Sequence, residues 1–337
     1  MPTIRDVARI AGVSTSTVSL AFSDPKRVGS KTLERIRRAA DELGYAADPL
    51  AQILARGRSR LIGLITPNVS NPFFSDIRRE VENHAIEHNH FVLVSDSSGK
   101  STRERDVLEH LVGLKVAGVV LAPNGQGKDY ADFIQRFKIP IVCFDQRVDG
   151  IERDFIGSDN RLAAAMLTEH LLQLGHRRIA FIAGPETLYS ARGRLAGFLE
   201  TIGGGGVDQP EGFVVDGNYT AGPAYAATMR LLTRQDRPTA IIAANNIMGL
   251  ATLQAVQELG FRCPDDISLA MIDDVPWSHV ITPKLTTVVQ DTAKMGSIIA
   301  RQIVHRVLSA EAAAAPAEDF ILTPRFVAGT SCRAIGG

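Results

Sequence analysis

The sequence predicts a chain in two parts, an all-α helix-turn-helix head followed by an α/β body of two doubly wound parallel-sheet subdomains. Three observations carry this. The first 45 residues hold helix signals and no convincing strand. From Leu61 onward, short apolar runs alternate with helical stretches, the texture of parallel sheets covered by helices. Eight such runs precede residue 275, more than one doubly wound half normally uses, so two subdomains are expected. The length of 337 residues agrees with two or three domains.

In the head, Thr3-Ile4-Arg5-Asp6 reads as a capping box with an acidic residue in place of the usual Glu or Gln. Ile4, Val7, Ala8 and Ala11 then recur at helical spacing until Gly12 stops the helix. Ser14 is placed to cap a second helix from Thr15, with Val18 and Ala21 on its apolar face, and Asp24-Pro25 breaks it. Ser30 is expected to cap a third helix that runs to Leu43 and stops at Gly44. Two short helices joined by a glycine turn form the helix-turn-helix pattern. The segment from Asp48 to Gly57 is helix-friendly but too short to be stable alone.

The body's strand-like runs are 61–66, 91–95, 116–122, 139–144, 178–184, 213–216, 240–244 and 268–273. Helical patterns fill the gaps, as at 161–174 and 246–259. Asp145 and Asp273 each close one of these runs. Ligands of open parallel sheets lie outside the carboxyl ends of the strands, so both carboxylates are expected at a cleft.

Composition narrows the function. With 45% hydrophobic and 22% charged residues the chain is globular, neither disordered nor fibrous. Its apolar runs fall far short of the ~20 residues a membrane helix needs. The start, Met1 to Asp6, shows no leader pattern, and Cys143, Cys263 and Cys332 lie far apart without metal spacing, so reduced thiols in a cytosolic protein are expected. The net charge of zero hides an asymmetry: residues 1–60 hold 11 Lys and Arg against 6 Asp and Glu, and the remainder is acidic. A basic head on an acidic body suggests that the head meets a polyanion.

The stretch Thr3 to Ser14 with Ser16-Thr17-Val18-Ser19 resembles the DNA-binding head of LacI/GalR-type bacterial transcription regulators. The likeness continues through Glu42-Leu43-Gly44-Tyr45, Asn71-Pro72-Phe73-Phe74, Gly175-His176-Arg177-Arg178-Ile179 and Leu285-Thr286-Thr287-Val288, nearly the whole chain in the family's order. The resemblance implies a DNA-binding domain at 1–46, a hinge helix and linker at 47–59, and a periplasmic-binding-protein-like effector and dimerisation core at 60–337. Within that core it implies an N-subdomain of about 60–157 with 289–317, and a C-subdomain of about 158–288 with 318–337. The implied partners are double-stranded operator DNA, a small-molecule effector, and a second copy of the chain. The expected function is a cytoplasmic repressor, on the nucleoid when bound to DNA, whose operator affinity is set by a sugar or sugar derivative.

In such a head the first residues of the second helix face base edges, here Thr15 and Ser16, with Thr17 and Ser19 near phosphates and Thr3 and Ser14 beside them. Leu20 stands where many members carry Arg and offers only an apolar contact. Leu54 matches the hinge residue wedged between base pairs, one from each subunit, at a cost of roughly a few kcal/mol per step. Ala51 and Ala55 are small enough for two hinges to approach, and Asp48 stands where Asn is common. In the core the family pattern places Arg194, Asn245, Asp273, Gln290 and Asp145 on the effector, and stacks Phe73 or Phe74 and Tyr219 against it. Asn246 replaces a usual Asp at a helix start, where either residue can cap, and Ala122 sits where some members place an amide.

Two rival classes stand against this reading. An enzyme is disfavoured because no GxGxxG follows a strand and no P-loop or HExxH is present. Asp273-Asp274 and His279 drawn as an acid–base set lack a nucleophile. A secreted sugar-binding protein shares the body but not the basic head. No cofactor, metal or membrane is expected. Residues 331–337 carry no apolar heptads, which predicts a dimer rather than a tetramer.

Overall fold

The structure, a computed structural model, describes residues 2–23, 25–45, 59–207 and 210–335. The hinge positions Asp48, Ala51, Leu54, Ala55 and Gly57 lie outside these residues. Two compact units divide the chain, 1–61 with 110–117, and 62–109 with 118–337.

In the head, α1 (Ile4–Ala11) starts at Thr3, whose backbone N–H and hydroxyl both donate to the Asp6 carboxylate, at 2.9 and 2.8 Å. An acidic residue therefore does the work of the usual Glu, and these bonds hold Asp6 below the ordinary carboxylate range. Gly12 closes the helix in the left-handed region at φ +61°, a conformation that favours glycine. α2 (Thr15–Ser23) begins where the Thr17 N–H donates to Ser14 Oγ at 3.1 Å. α3 (Ser30–Leu43) corrects the expectation by one residue. Ser30 is already helical, and Gly29 holds the cap position through its carbonyl, which accepts from the Leu33 N–H at 2.9 Å. Val7, Ala8, Ala11, Val18, Ala21, Ile36, Ala39 and Ala40 form the head's core, small side chains that let three short helices meet.

Among the described residues the body has two six-stranded sheets. The first contains β1 (Leu61–Thr66), β2 (Phe91–Asp96), β3 (Gly118–Leu121), β4 (Ile141–Phe144), β5 (Asp154–Ser158) and β11 (Asp319–Leu322), in the order β11-β5-β4-β3-β1-β2. The second contains β6 (Ile179–Ala183), β7 (Val214–Asp216), β8 (Ala240–Ala243), β9 (Ser268–Ile272), β10 (Thr286–Val289) and β12 (Arg325–Val327), in the order β12-β10-β9-β8-β6-β7. The registered pairs are parallel except β10 with β12. The inner strands are buried on both faces, which is why they read as unbroken apolar runs. Helices α4 (Pro72–Glu87), α5 (Ser101–Gly113), α6 (Lys128–Gln135), α11 (Thr292–Leu308) and α12 (Ala310–Ala314) accompany the first sheet. Helices α7 (Asn160–Gln173), α8 (Tyr189–Gly204), α9 (Ala221–Leu232) and α10 (Asn246–Glu258) accompany the second.

The chain changes sheet after Ser158, after Val289 and after Leu322. The third crossing corrects the expected subdomain boundary at 318. Asp319 to Leu322 pair in parallel with Phe155 to Ser158, so this stretch completes the first sheet, and only β12 returns to the second. Strand β5, unmarked in the sequence reading, opens on the Arg153-Asp154 charges and carries Gly157, which masks its apolar character. Its Asp154 is nevertheless buried, because Arg306 of α11 grips it with Nε at 2.8 Å and Nη2 at 2.5 Å. The same guanidinium donates to the carbonyls of Ala315 and Pro316, each at 2.7 Å, and so ties α11, the loop after α12 and β5 together.

Candidate functional site

A cleft of about 600 Å³ opens at the carboxyl ends of the strands of both sheets, within the size range of small-ligand sites. All eight residues expected at an effector, Phe73, Phe74, Asp145, Arg194, Tyr219, Asn245, Asp273 and Gln290, line it. Phe73 and Phe74 come from the first turn of α4, where Asn71 Oδ1 accepts from the Phe73 N–H at 3.1 Å. The two rings meet edge to face, with centroids 5.0 Å apart. Asp145 and Asp273 leave β4 and β9 in the left-handed region, at φ +61° and +67°. Aspartate tolerates this conformation better than most residues, and the turn aims each carboxylate past its strand end.

Arg194 is 3% exposed and projects from α8. Helix α8 reaches this depth because it runs tightly against α7: a Cβ at Gly197 would lie 2.1 Å from the Arg161 carbonyl oxygen. The guanidinium donates to Asn160 Oδ1 at 2.8 Å and to the Ala244 carbonyl at 2.5 Å. Its carbon also sits 5.8 Å from the Tyr219 ring centroid, within cation–π range. Tyr219 has φ +53°, and its ring occupies the space a Cβ at Gly184 would take, 2.3 Å from the nearest ring atom. Burial pushes both Asp145 and Asp273 upward, and Arg194 pulls each back. Burial disfavours the Arg194 charge, yet Tyr219, Asp273 and Asp145 outweigh it and push the guanidinium up. The cleft floor therefore sets one cation among two buried acids whose carboxyls lie above the ordinary range, a set that can both donate to and accept from hydroxyl groups.

Further residues belong to this site that the sequence reading did not single out as ligand contacts. Gln146, next to Asp145, donates from Nε2 to Asp145 Oδ2 at 2.8 Å and to Ser190 Oγ at 2.7 Å. Its Oε1 accepts from the Ser190 N–H at 3.2 Å, and Ser190 Oγ meets the Tyr219 hydroxyl at 3.1 Å. Ala122 is buried and off the cleft wall, whereas Asn124, two residues on, lines it. The Glu104 carboxylate holds Asn124 by accepting from its N–H and its Nδ2, at 2.9 and 2.8 Å. Burial pushes the Glu104 carboxyl up to about 7, and Tyr130 donates to its other oxygen. A strand-end rule applied two residues further would have found Gln146 and Asn124.

Asn246 takes a role other than helix capping. Asn245 caps α10 by accepting from the Met248 N–H at 2.9 Å. Asn246 instead reaches the other lobe, donating from Nδ2 to Asn71 Oδ1 at 3.1 Å and to the Asp274 carbonyl at 3.2 Å. Asn246→Asp should set a carboxylate against those two acceptor oxygens. Asn71 cannot flip to help without giving up its bond to the Phe73 N–H. We expect the lobes to part at a cost of about 1–3 kcal/mol, seen as a larger radius of gyration by small-angle scattering. An unchanged scattering curve would remove this bond from the closure.

On the head, Thr3, Ser14, Thr15 and Ser16 are exposed, and Thr17, Ser19 and Leu20 are half-buried. Ser14 Oγ lies 2.7 Å from Ser16 Oγ and 2.8 Å from Thr17 Oγ1, so three hydroxyls cluster at the start of α2. Elsewhere on the head the side chains of Arg5, Arg9, Arg27, Lys31, Arg35, Arg37 and Arg38 are exposed. The charge count of the head pointed to this set, although no single arginine was singled out.

A helix-turn-helix unit on one chain with a two-lobed α/β body and a polar cleft defines the class of DNA-binding regulators that carry a ligand-binding body. Residues 3–48 match the family model described as bacterial regulatory proteins, lacI family, and residues 168–332 match a periplasmic binding protein-like domain. The ribose operon repressor of Escherichia coli (strain K12) is 30% identical over 308 residues, 91% of this chain and 93% of that protein. The chain belongs to the lacI family of bacterial regulatory proteins. Among solved structures, the lac repressor dimer bound to operator and the anti-inducer ONPF superposes with a TM-score of 0.84 at 27% identity, covering 99% of each chain. The transcriptional regulator CelR in complex with cellobiose gives 0.73 at 27% identity, covering 98% of this chain and 100% of the other. Among the described residues no helix is long and apolar enough to cross a membrane.

Proposed function

We propose that the protein is a homodimeric cytoplasmic repressor, without enzymatic activity, whose hold on operator DNA is set by a neutral, hydroxyl-rich ligand such as a sugar. The observation that carries this is the Asp145–Arg194–Asp273 floor of a cleft formed by two lobes. Two acids against one cation disfavour a phosphate or a carboxylate ligand, while their donors and acceptors suit vicinal hydroxyls. Phe73, Phe74 and Tyr219 would cover the apolar face of a sugar ring, and Asn245 and Gln290 would complete its polar contacts. Thr15 and Ser16 would meet base edges, Thr3, Ser14, Thr17 and Ser19 would lie at or near the phosphates, and Leu20 would touch a thymine methyl. Leu54, with Ala51 and Ala55, would enter the minor groove from each subunit. The relatives' activity as repressors supports the regulatory reading over an enzymatic one.

The test is a thermal-shift screen of neutral sugars beside their phosphate esters, followed by salt-dependent gel shifts with the hits. A neutral sugar at 100 times its dissociation constant should add about 2.7 kcal/mol of stability. It should also change operator affinity by about 1–3 kcal/mol. Stabilisation by phosphate esters alone would overturn the ligand class, and duplex binding that ignores salt would overturn the DNA-binding role.

A further inference from the structure

We propose that the last turn of α4 carries a surface site for a borderline-soft divalent metal of the Zn2+ class, ligated by His84, Glu87 and His88. Their spacing puts all three on one face of the helix end. Among the described residues they form the one group of three such side chains whose ligand atoms lie within 4.8 Å of one another. His84 Nδ1 is 3.6 Å from a Glu87 carboxylate oxygen, and the two imidazole centroids are 4.5 Å apart. Two ligand atoms on a tetrahedral zinc are about 3.4 Å apart, so only small side-chain rotations separate this arrangement from a coordinating one.

Three further features favour a cation here. His88 Nδ1 lies 2.9 Å from the His84 carbonyl oxygen, which leaves Nε2 as the ring nitrogen to ligate. Bonding of one ring nitrogen to a backbone carbonyl is the usual way a ligating imidazole is oriented. His84 keeps Nδ1 turned towards the Glu87 carboxylate at 3.6 Å, so the two residues already offer their ligand atoms to one place. The group also sits at the carboxyl end of a 16-residue helix, where the backbone dipole presents negative charge. Arg301 is the opposing cation near His84. Two imidazoles and one carboxylate select zinc, nickel or copper over the hard ions magnesium and calcium, which want oxygen donors.

Calorimetric titration of the tag-free full chain with zinc chloride tests this, with magnesium chloride as the hard-ion control. We expect one high-affinity zinc per chain, no magnesium heat, and at least tenfold weaker zinc binding in His84→Ala and in His88→Ala. Arg301→Gln should tighten it. Both histidines are half-buried and outside the core, so their variants should melt close to wild type without metal. Identical zinc isotherms in wild type and both histidine variants would place the metal elsewhere, for example on the thiols, and overturn the site. Equal binding of magnesium would overturn the metal class.

Discussion

Arg194→Ala should cost the second lobe roughly 3–5 kcal/mol and abolish the ligand response in the same step. The guanidinium satisfies Asn160 and the Ala244 carbonyl and counters two buried carboxylates. Without it, Asp145 and Asp273 are buried like charges with no cation between them, and folding favours a neutral form of one of them. The pH dependence follows in sign. Both carboxyls are already raised from 3.8 by burial, and losing Arg194 raises them further. Stability tied to a raised carboxyl is present below its unfolded value and is lost as pH climbs through the folded one. The penalty of Arg194→Ala should therefore be small near pH 4 and grow towards neutrality. Urea melts of both proteins across that range measure it. A variant as stable as wild type at pH 7, with normal ligand-induced change in operator binding, would remove Arg194 from both roles. Arg194→Lys keeps a charge but not the planar fork, and should recover part of the stability without recovering the response.

Arg306→Leu should be the other large loss, again roughly 3–5 kcal/mol, because it leaves the Asp154 carboxylate buried and unpaired. It also frees the carbonyls of Ala315 and Pro316, so the approach to β11 should loosen and become a proteolytic site. Asp154→Asn in the same chain should restore much of the stability, since an apolar or neutral pair avoids the stranded charge. A double-mutant cycle by denaturant unfolding gives the coupling. Strictly additive losses would mean the pair does not act as a unit.

The cleft was legible in the sequence because its main residues follow a local rule. Asp145 and Asp273 stand at the ends of apolar runs, and the carboxyl end of a parallel strand faces the ligand whatever the rest of the fold does. Gln146 obeys the same rule, but its meaning lies in Ser190, 44 residues away and in the other lobe. No periodicity encodes such a pairing. Asn246 was noticed as a departure and assigned to capping, since its true partner Asn71 is 175 residues distant. Four of the described strands escape the list of apolar runs. β10 is a largely buried stretch of four whose two threonines dilute its apolar character. β11 and β12 are short edges with half-exposed patterns, which lack the doubly buried signature. β5 is buried throughout, yet it begins with an aspartate that only Arg306 makes tolerable inside. The helix start at Ser30 was misplaced by one residue because a glycine can cap through its backbone alone.

The sheet order bears on how the protein is made. β11 closes one edge of the first sheet and β12 one edge of the second, and both come after residue 318. While the chain emerges from the ribosome, β5 and β10 wait as apolar edges without their outer neighbours, and neither lobe can be finished ahead of the other. The two lobes are thus bound to a common moment of completion. Until then β5 and β10 present unpaired backbone, the kind of edge that invites pairing with another chain.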